Sequence, residues 1–451
     1  MRGLVLALFA LSFLDAKELF KSEDIFLYLT KDNPFVSIST AQESIAKQKV
    51  GYSLGEFDTK VSTKYDNKKY PISHGEYFDV SIAKPLENGL ELVSTYRKAT
   101  GTQEYNNIKT GKKGEVLVGA KIPLFSIVNN TNSRKLKLDL ALVDSIKYGF
   151  NSKNNLRLLY TEVLTLYYNL LYSKILLSFE EELLKKIEKR ANFIEQRIKV
   201  GALAKVDMIE ASQQIISSKQ RCLSASNSYD SNFEIFLQYL NTSKDEFTKK
   251  FYLEDIFHSE VIDIDLEKEI NKALKNRADL KMLKYEKKQI DLQKKNAKLL
   301  GYPDLNIAFY GARDFEYINN NGFKIALDMA FPIERRKYSA KSKELHEVYK
   351  NLEKLEEKKS LEIKTNLVNI ANSLLTIESN LQYSKQELKL VEQLADVENK
   401  KYNLGASNLF MLNQRELHVI EVKNKIVKYK LDYQLLKEQF FKVVGTQSVI
   451  K

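Results

Sequence analysis

Apolar and polar residues alternate strictly in two stretches of the chain. Between residues 52 and 123, Phe57, Val61 and Tyr65 alternate with Asp58, Lys60, Ser62 and Lys64, and Phe78, Val80 and Ile82 alternate with Asp79, Ser81 and Ala83. Leu90, Leu92 and Tyr96 follow the turn Glu87-Asn88-Gly89, and Val116, Val118 and Ile122 alternate with Glu115, Gly119 and Lys121. The second stretch sets Leu305, Ile307 and Phe309 against Asn306, Ala308 and Tyr310, and then turns near Asn319 to Gly322. Phe323, Ile325, Leu327, Met329 and Phe331 follow, alternating with Lys324, Ala326, Asp328 and Ala330. Successive side chains of a strand point to opposite faces, so both stretches predict strands with one apolar and one polar side.

Elsewhere helix breakers are scarce. All six prolines fall before residue 124 or between 303 and 332. Gly149 and Gly201 are the two glycines between Leu124 and Leu300, and Gly405 and Gly445 the two after Ile333. Such runs, rich in Leu, Lys and Glu, predict very long helices. One short helical stretch ends near Thr30 and another runs from Asn33-Pro34 to about Val50. A helix from near Asn129 to Gly201 would hold about 70 residues and span roughly 105 Å. Its polar patch Asn151 to Asn155 marks a bend or a change of packing. The chain returns as helix from Ala204 to Leu240 and, after a loop through 264, from Leu266 to Leu300. In the second half helix runs from Glu334 to Leu404 and returns to Val444-Gly445.

The two turning points are copies of one pattern. Arg197-Ile-Lys-Val-Gly201 and Lys401-Tyr402-Asn-Leu-Gly405 each place a lone glycine between helices, where a left-handed residue ends one helix and lets the next run back antiparallel. The chain therefore reads as an internal duplication: a first repeat over 17–241, a second over 242–445, and a tail over 446–451. The extra length of the first repeat falls among its strands, which predicts an added hairpin or long loop there.

Composition narrows the function. The net charge is +12, but the lysines are interleaved with glutamate along the helices, as from Lys350 to Lys364, which describes a solvated helix face rather than a nucleic-acid surface. Arg2 and the apolar run from Leu4 to Leu14 fit a signal peptide over 1–16, cleaved after Ala16, and no run elsewhere is long enough for a membrane-spanning helix. No cysteine follows that run, so a lipoprotein anchor is not expected. The single cysteine, Cys222, cannot form an internal disulfide and reads as a buried helix thiol. His74, His258, His346 and His418 lack metal-site spacing, and no phosphate-cradling loop or nucleophile motif is present. No enzyme activity, metal or cofactor is expected.

Strands of about ten residues with this alternation fit a membrane β-barrel, with lipid outside and water inside. A soluble sandwich would show the same alternation, but two strands per half flanked by long helices leave no second sheet to pack on. Edge amides cannot sit unpaired in lipid. Four strands, or six if the insert adds a pair, are too few to close a barrel, so several chains must each contribute.

These features together resemble the TolC-like outer-membrane efflux protein family. The resemblance is carried by the two glycine tips, Asn33-Pro34 and Asn276-Arg277-Ala278-Asp279, and the strand ends Lys121-Ile-Pro-Leu-Phe125 and Met329-Ala-Phe-Pro-Ile333. The closing Tyr239-Leu-Asn241 and Val443-Val-Gly445 complete it. It implies an α+β membrane protein of long antiparallel helical hairpins, forming a periplasmic α-barrel, with a few strands per chain. A homotrimer would share one barrel of about twelve strands in outer-membrane lipid. Such conduits work with a periplasmic adaptor and an inner-membrane pump of the RND, ABC or MFS type, in efflux or type I secretion. The alternative, an exported coiled-coil structural or adhesive protein without a pore, requires sustained heptads and no strand zones.

The family's gate pattern transfers only in part. The acidic residue six after the first tip glycine is Asp207, and the tyrosine three before the second is Tyr402. The basic residue two after Gly405 is replaced by Ser407, and the two acids that ring the entrance in some members are replaced by Met411 and Gln414. Asn413 and Gln414, or Asp207 and Glu210, are left to line the mouth, unless all four face neighbouring helices.

Overall fold

The structure is a computed structural model that describes residues 17–71, 73–101, 110–201, 205–254, 262–316 and 321–446. The expected signal peptide, the first residues of the Asn319 turn and all of the C-terminal tail but Thr446 lie outside the described residues. The elements in chain order begin with β1 (Glu18–Phe20), α1 (Ile25–Tyr28) and α2 (Pro34–Leu54). The first strand zone forms β2 (Lys60–Tyr70), β3 (Ser73–Pro85), β4 (Glu91–Gly101) and β5 (Glu115–Pro123). Then come α3 (Leu124–Val128), α4 (Ser133–Lys199), α5 (Lys205–Leu240), α6 (Lys244–Lys250), β6 (Phe251–Leu253), α7 (Leu266–Asn276) and α8 (Ala278–Ala297). The second zone forms β7 (Asp304–Asp314) and β8 (Asn321–Ala330), followed by α9 (Arg336–Asn403) and α10 (Leu409–Val444). Contacts divide the chain into two units, one comprising 1–40, 154–277 and 362–451, the other 41–153 and 278–361.

The second unit carries one six-stranded antiparallel sheet in the order β2-β3-β4-β5-β7-β8. The first-half excess is thus a pair of strands. One register row, Val61, Ile82, Ser94, Val118, Gly311 and Phe323, crosses all six strands on one face. Leu92, Ala120, Phe309 and Ile325 form another row of that face. Its large side chains are exposed, Phe323 by 73% and Leu327 by 66%. The opposite face carries the row Lys64, Asp79, Arg97, Glu115 and Asp314, in which Arg97 and Glu115 are ion-paired. Ser81 and Thr95 hydrogen-bond across it at 2.8 Å, and Glu91 takes Lys121 and Arg134 at 3.4 Å each. The alternation read from the sequence therefore separates an apolar face from a charged one.

The first unit is built on aromatic packing. Phe20 is fully buried from solvent and lies 5.0 Å from Phe247, 5.2 Å from Phe251 and 5.8 Å from Tyr167 and Phe236, ring centre to ring centre. The parallel pairing of β1 with β6 holds it there. Two related joints flank this core. Buried Asn33 donates its amide to Tyr239 O at the end of α5 (2.9 Å) and accepts from Phe35 N–H (2.9 Å). Arg277 donates to Val443 O at the end of α10 (3.1 Å), beside the left-handed Gly445. The duplicated motifs thus clamp the last turn of each returning helix.

Three expectations change. The helix expected from Leu266 to Leu300 is broken at Arg277, whose ψ of 130° is extended, and ends at Ala297 with a tight turn after it. No proline or glycine marks that break; the Val443 carbonyl that Arg277 reaches is a tertiary partner. Phe57 is a buried residue of a short turn rather than a strand residue, and β2 starts at Lys60. Helix α4 stays helical through the Asn151 to Asn155 patch, within which the boundary between the two units falls, at 153/154. Cys222 is half-buried rather than fully buried, and burial pushes its thiol pKa up, helped by Glu180 and Glu181.

A Cβ on Gly119 would lie 2.7 Å from Tyr310 Cα and closer still to Phe309 O, whereas on Gly311 it would meet nothing nearer than Val118 O at 3.9 Å. Gly119→Ala is expected to push β5 from β7 and destabilise the protein by about 1–3 kcal/mol, read as a lower melting temperature. Gly311→Ala is expected to leave it unchanged.

Candidate functional site: the helical tips

Both glycines adopt the left-handed conformation, φ 77° at Gly201 and 74° at Gly405, with open space around them. At Gly405 the N–H bonds to Tyr402 O (3.0 Å) and the next N–H, of Ala406, to Lys401 O (2.9 Å), the paired arrangement that closes a helix at a glycine. Gly201 N–H bonds to Ile198 O at 3.0 Å. Asn408 then starts α10 by accepting from Met411 N–H at 2.9 Å. A side chain with a Cβ would strain either turn, which explains the glycines without any appeal to function.

The fold brings the two tips together. Ala191 and Ile194 of α4, Ala211 of α5 and Leu409 of α10 form a buried cluster, with Ile198, Met208, Ile215 and Tyr402 packed against it. Above its apolar floor lies a polar knot. Arg190 of α4 reaches α10, pairing with Glu416 and donating to Asn413 Oδ1 at 2.5 Å. Both members of the ion pair are largely covered, at 13% and 20% exposure. Asn413 Nδ2, Glu416 Oε2 and Glu210 Oε1 are buried without hydrogen-bond partners among the described residues. Burial raises the Tyr402 phenol above its usual pKa; Arg190 and Arg197 oppose the rise, and Asp207 and Glu210 add to it. Tyr402 is therefore neutral at physiological pH and sits amid four charges of both signs.

The sequence-derived residues divide accordingly. Asp207 lies in the first turn of α5, where the helix dipole favours a carboxylate, and is half-buried near Tyr402. Glu210 is half-buried with one oxygen turned inward. Asn413 is buried against α4. Gln414 and Met411 are exposed. Ser407, standing where the family has a base, donates its hydroxyl to Glu398. Sequence reading missed Arg190, Glu416 and Glu398, because each sits in a helix of ordinary lysine and glutamate spacing and only the packing selects it. No cluster of three or more His, Cys, Asp or Glu side chains fit for a metal occurs among the described residues.

Apolar side chains also remain uncovered at seven-residue spacing. On α5 these are Ile209, Ile216 and Leu223, and on α9 they are Tyr383, Leu390 and Val397. Each set lies along one side of its helix, since residues seven apart are two turns apart.

No protein-family model matches the sequence. No curated protein matches it. Solved structures match along nearly its whole length. The outer membrane protein VceC of Vibrio cholerae is 11% identical, with 94% of this chain and 96% of that one covered at a TM-score of 0.72. The CmeC outer membrane channel of Campylobacter jejuni is 11% identical, with 96% and 87% covered at 0.68. The open state of the MtrE outer membrane channel of Neisseria gonorrhoeae is 11% identical, with 94% and 89% covered at 0.68. The chain has the fold of these outer-membrane channels, the α+β architecture of the TolC-like proteins.

Arg190→Ala would strip a largely buried carboxylate and an amide oxygen of their donor, at about 1–3 kcal/mol. Faster hydrogen exchange is expected across the start of α10 and the end of α4. Lys219→Ala, which removes an open pair with Glu188 at 3.7 Å, is expected to change nothing there.

Proposed function

We propose that this chain is one subunit of a trimeric exit duct in the outer membrane, passing cargo from an inner-membrane pump through a periplasmic adaptor. It is a conduit and not an enzyme. One observation carries the reading: a sheet with an apolar face, a charged face and two unpaired edge strands, β2 and β8. In lipid each edge needs a partner, and another copy of the chain offers β2 for β8. The strands are 9 to 13 residues long, the length that spans a bilayer when tilted. The uncovered heptad faces of α5 and α9 fit neighbours in the same assembly. A coiled-coil protein without a pore would have no use for the sheet.

The strand count alters the expected barrel. The twelve strands implied by the family resemblance need four from each of three chains, whereas six lie here in one continuous register. Three copies would close a barrel of about eighteen strands, within the range of outer-membrane barrels and wide enough for an aqueous lumen. The charged row led by Lys64 and Asp79 would face that lumen.

At the entrance, with acids missing at Met411 and Gln414, Asp207 and Glu210 are the carboxylates that would line the mouth. The partly covered state of both makes them a weak cation trap. Pump type, and whether the cargo is drug, metal or protein, are set by partners.

Outer-membrane extracts are expected to hold the protein as a heat-sensitive trimer, and electron microscopy to count about eighteen strands. A fully soluble periplasmic species would overturn the duct, and a twelve-stranded barrel would place the β2–β3 hairpin outside the wall. In planar bilayers, block by di- and trivalent cations is expected to be weak and to weaken further in Asp207→Asn or Glu210→Gln. Tight block indifferent to both substitutions would refute this account of the mouth.

A further inference from the structure

Where β5 and β8 end and β7 begins, the second unit holds a groove of about 790 Å³. Its apolar lining includes Phe125, Leu299, Leu300, Tyr302, Leu305 and Phe331. Phe125 and Tyr302 stack nearly parallel at 5.0 Å and make a flat wall. Leu305 belongs both to this lining and to the apolar face of the sheet, where it pairs with Met329. The groove therefore continues the surface that faces lipid in the duct.

The rim is basic. Arg335, Arg336 and Lys337 are consecutive, exposed and part of the lining. Neither Arg336 nor Lys337 has an ion pair or side-chain hydrogen bond among the described residues, so both head groups are free to meet a ligand. Arg335 takes a left-handed backbone, φ 49°, rare for a side chain with a Cβ, and its guanidinium lies 4.9 Å over the Phe331 ring. Backbone strain of this kind persists where surrounding structure enforces it. Two carboxylates also line the groove: Asp304, which accepts from the Asn306 amide at 2.9 Å, and Glu334. Cations exceed carboxylates, and Asn132 and Asn296 add amide groups.

We propose that this groove binds an anionic phospholipid, with an acyl chain along Phe125, Leu300 and Phe331 and the phosphate on Arg336 and Lys337. An apolar trough open to the lipid-facing side, ended by unpaired cations, matches the two parts of that molecule. Guanidinium suits phosphate because its planar donors engage two oxygens at once, while ammonium acts as a point charge. The proposal rests on the outer-membrane reading.

The chain contains no tryptophan, so one introduced tryptophan is the sole indole emitter. Leu300→Trp reports the groove, and Ile325→Trp reports the apolar sheet face. Phe331→Trp, at a lining position 41% exposed, is a second groove reporter should Leu300→Trp not fold. Each is reconstituted as the full-length assembly in bilayers with brominated phosphatidylglycerol or brominated phosphatidylcholine. At the groove, phosphatidylglycerol is expected to be favoured by about 5-fold for each cation engaged. Arg336→Ala with Lys337→Ala is expected to abolish that preference, while quenching at Ile325→Trp stays the same for both lipids. Equal quenching at the groove by the two lipids, or a preference that survives loss of both cations, overturns the proposal. Quenching at Ile325→Trp without any at the groove means that a neighbouring subunit fills it, which also overturns the proposal but leaves the duct intact. No quenching at any position defeats the duct reading itself.

Discussion

An amide or carbonyl facing hydrocarbon without a partner costs several kcal/mol, and this sheet ends in two open rows of them along β2 and β8. That constraint orders the rest of the architecture. A sheet whose exposed face bears Phe323, Ile325, Leu327 and Met329 cannot remain in water without a large apolar patch, and it cannot enter lipid with open edges. In the proposed duct, closure with further copies would answer both demands at once. The charged row would then face water, with Arg97 held by Glu115 and Glu91 by Lys121 and Arg134.

The helices solve a different problem. A helix of 67 or 68 residues carries no internal information about where its partner should lie, and heptad seams tolerate slippage. Register here comes from a few fixed joints. Asn33 on the end of α5 and Arg277 on the end of α10 do this at one level, and Arg190 with Asn413 and Glu416 does it at the tips. Each joint is polar and directional, so sliding a helix by one turn would break it and leave buried donors or acceptors unsatisfied. The unpartnered oxygens of Glu210 and Glu416 show that the tip is the least fully satisfied of these joints. A site whose polar groups are incompletely paired is where a second packing costs least.

Much of this was legible from side-chain periodicity. The strands from Val61 to Ile122 and from Leu305 to Met329, the glycine turns and the returning helices all follow from alternation, from breaker positions and from the left-handed turn that glycine permits. The duplicated joints were visible only as unexplained Asn-Pro and Asn-Arg pieces. The break at Arg277 was not visible at all, because no proline or glycine marks it and the carbonyl of Val443 that Arg277 reaches lies far away along the chain. Arg190 was hidden for the same reason: nothing in its helix distinguishes it from neighbouring lysines until α10 is placed beside it.

The tips show where the division falls. Gly201 and Gly405 are local necessities, since φ near 75° admits glycine whatever surrounds it, and the sequence by itself determined that the chain turns back at both. It determined equally that the strands have one apolar face, because alternation is a property of neighbours in the chain. Tertiary structure alone decided that Asn413 turns inward to Arg190 while Gln414 stays exposed, and that the added first-half hairpin joins the sheet in continuous register. A local conformational limit is written in single residues. Which face of a helix is covered, and which strand meets which, depend on partners that periodicity cannot name.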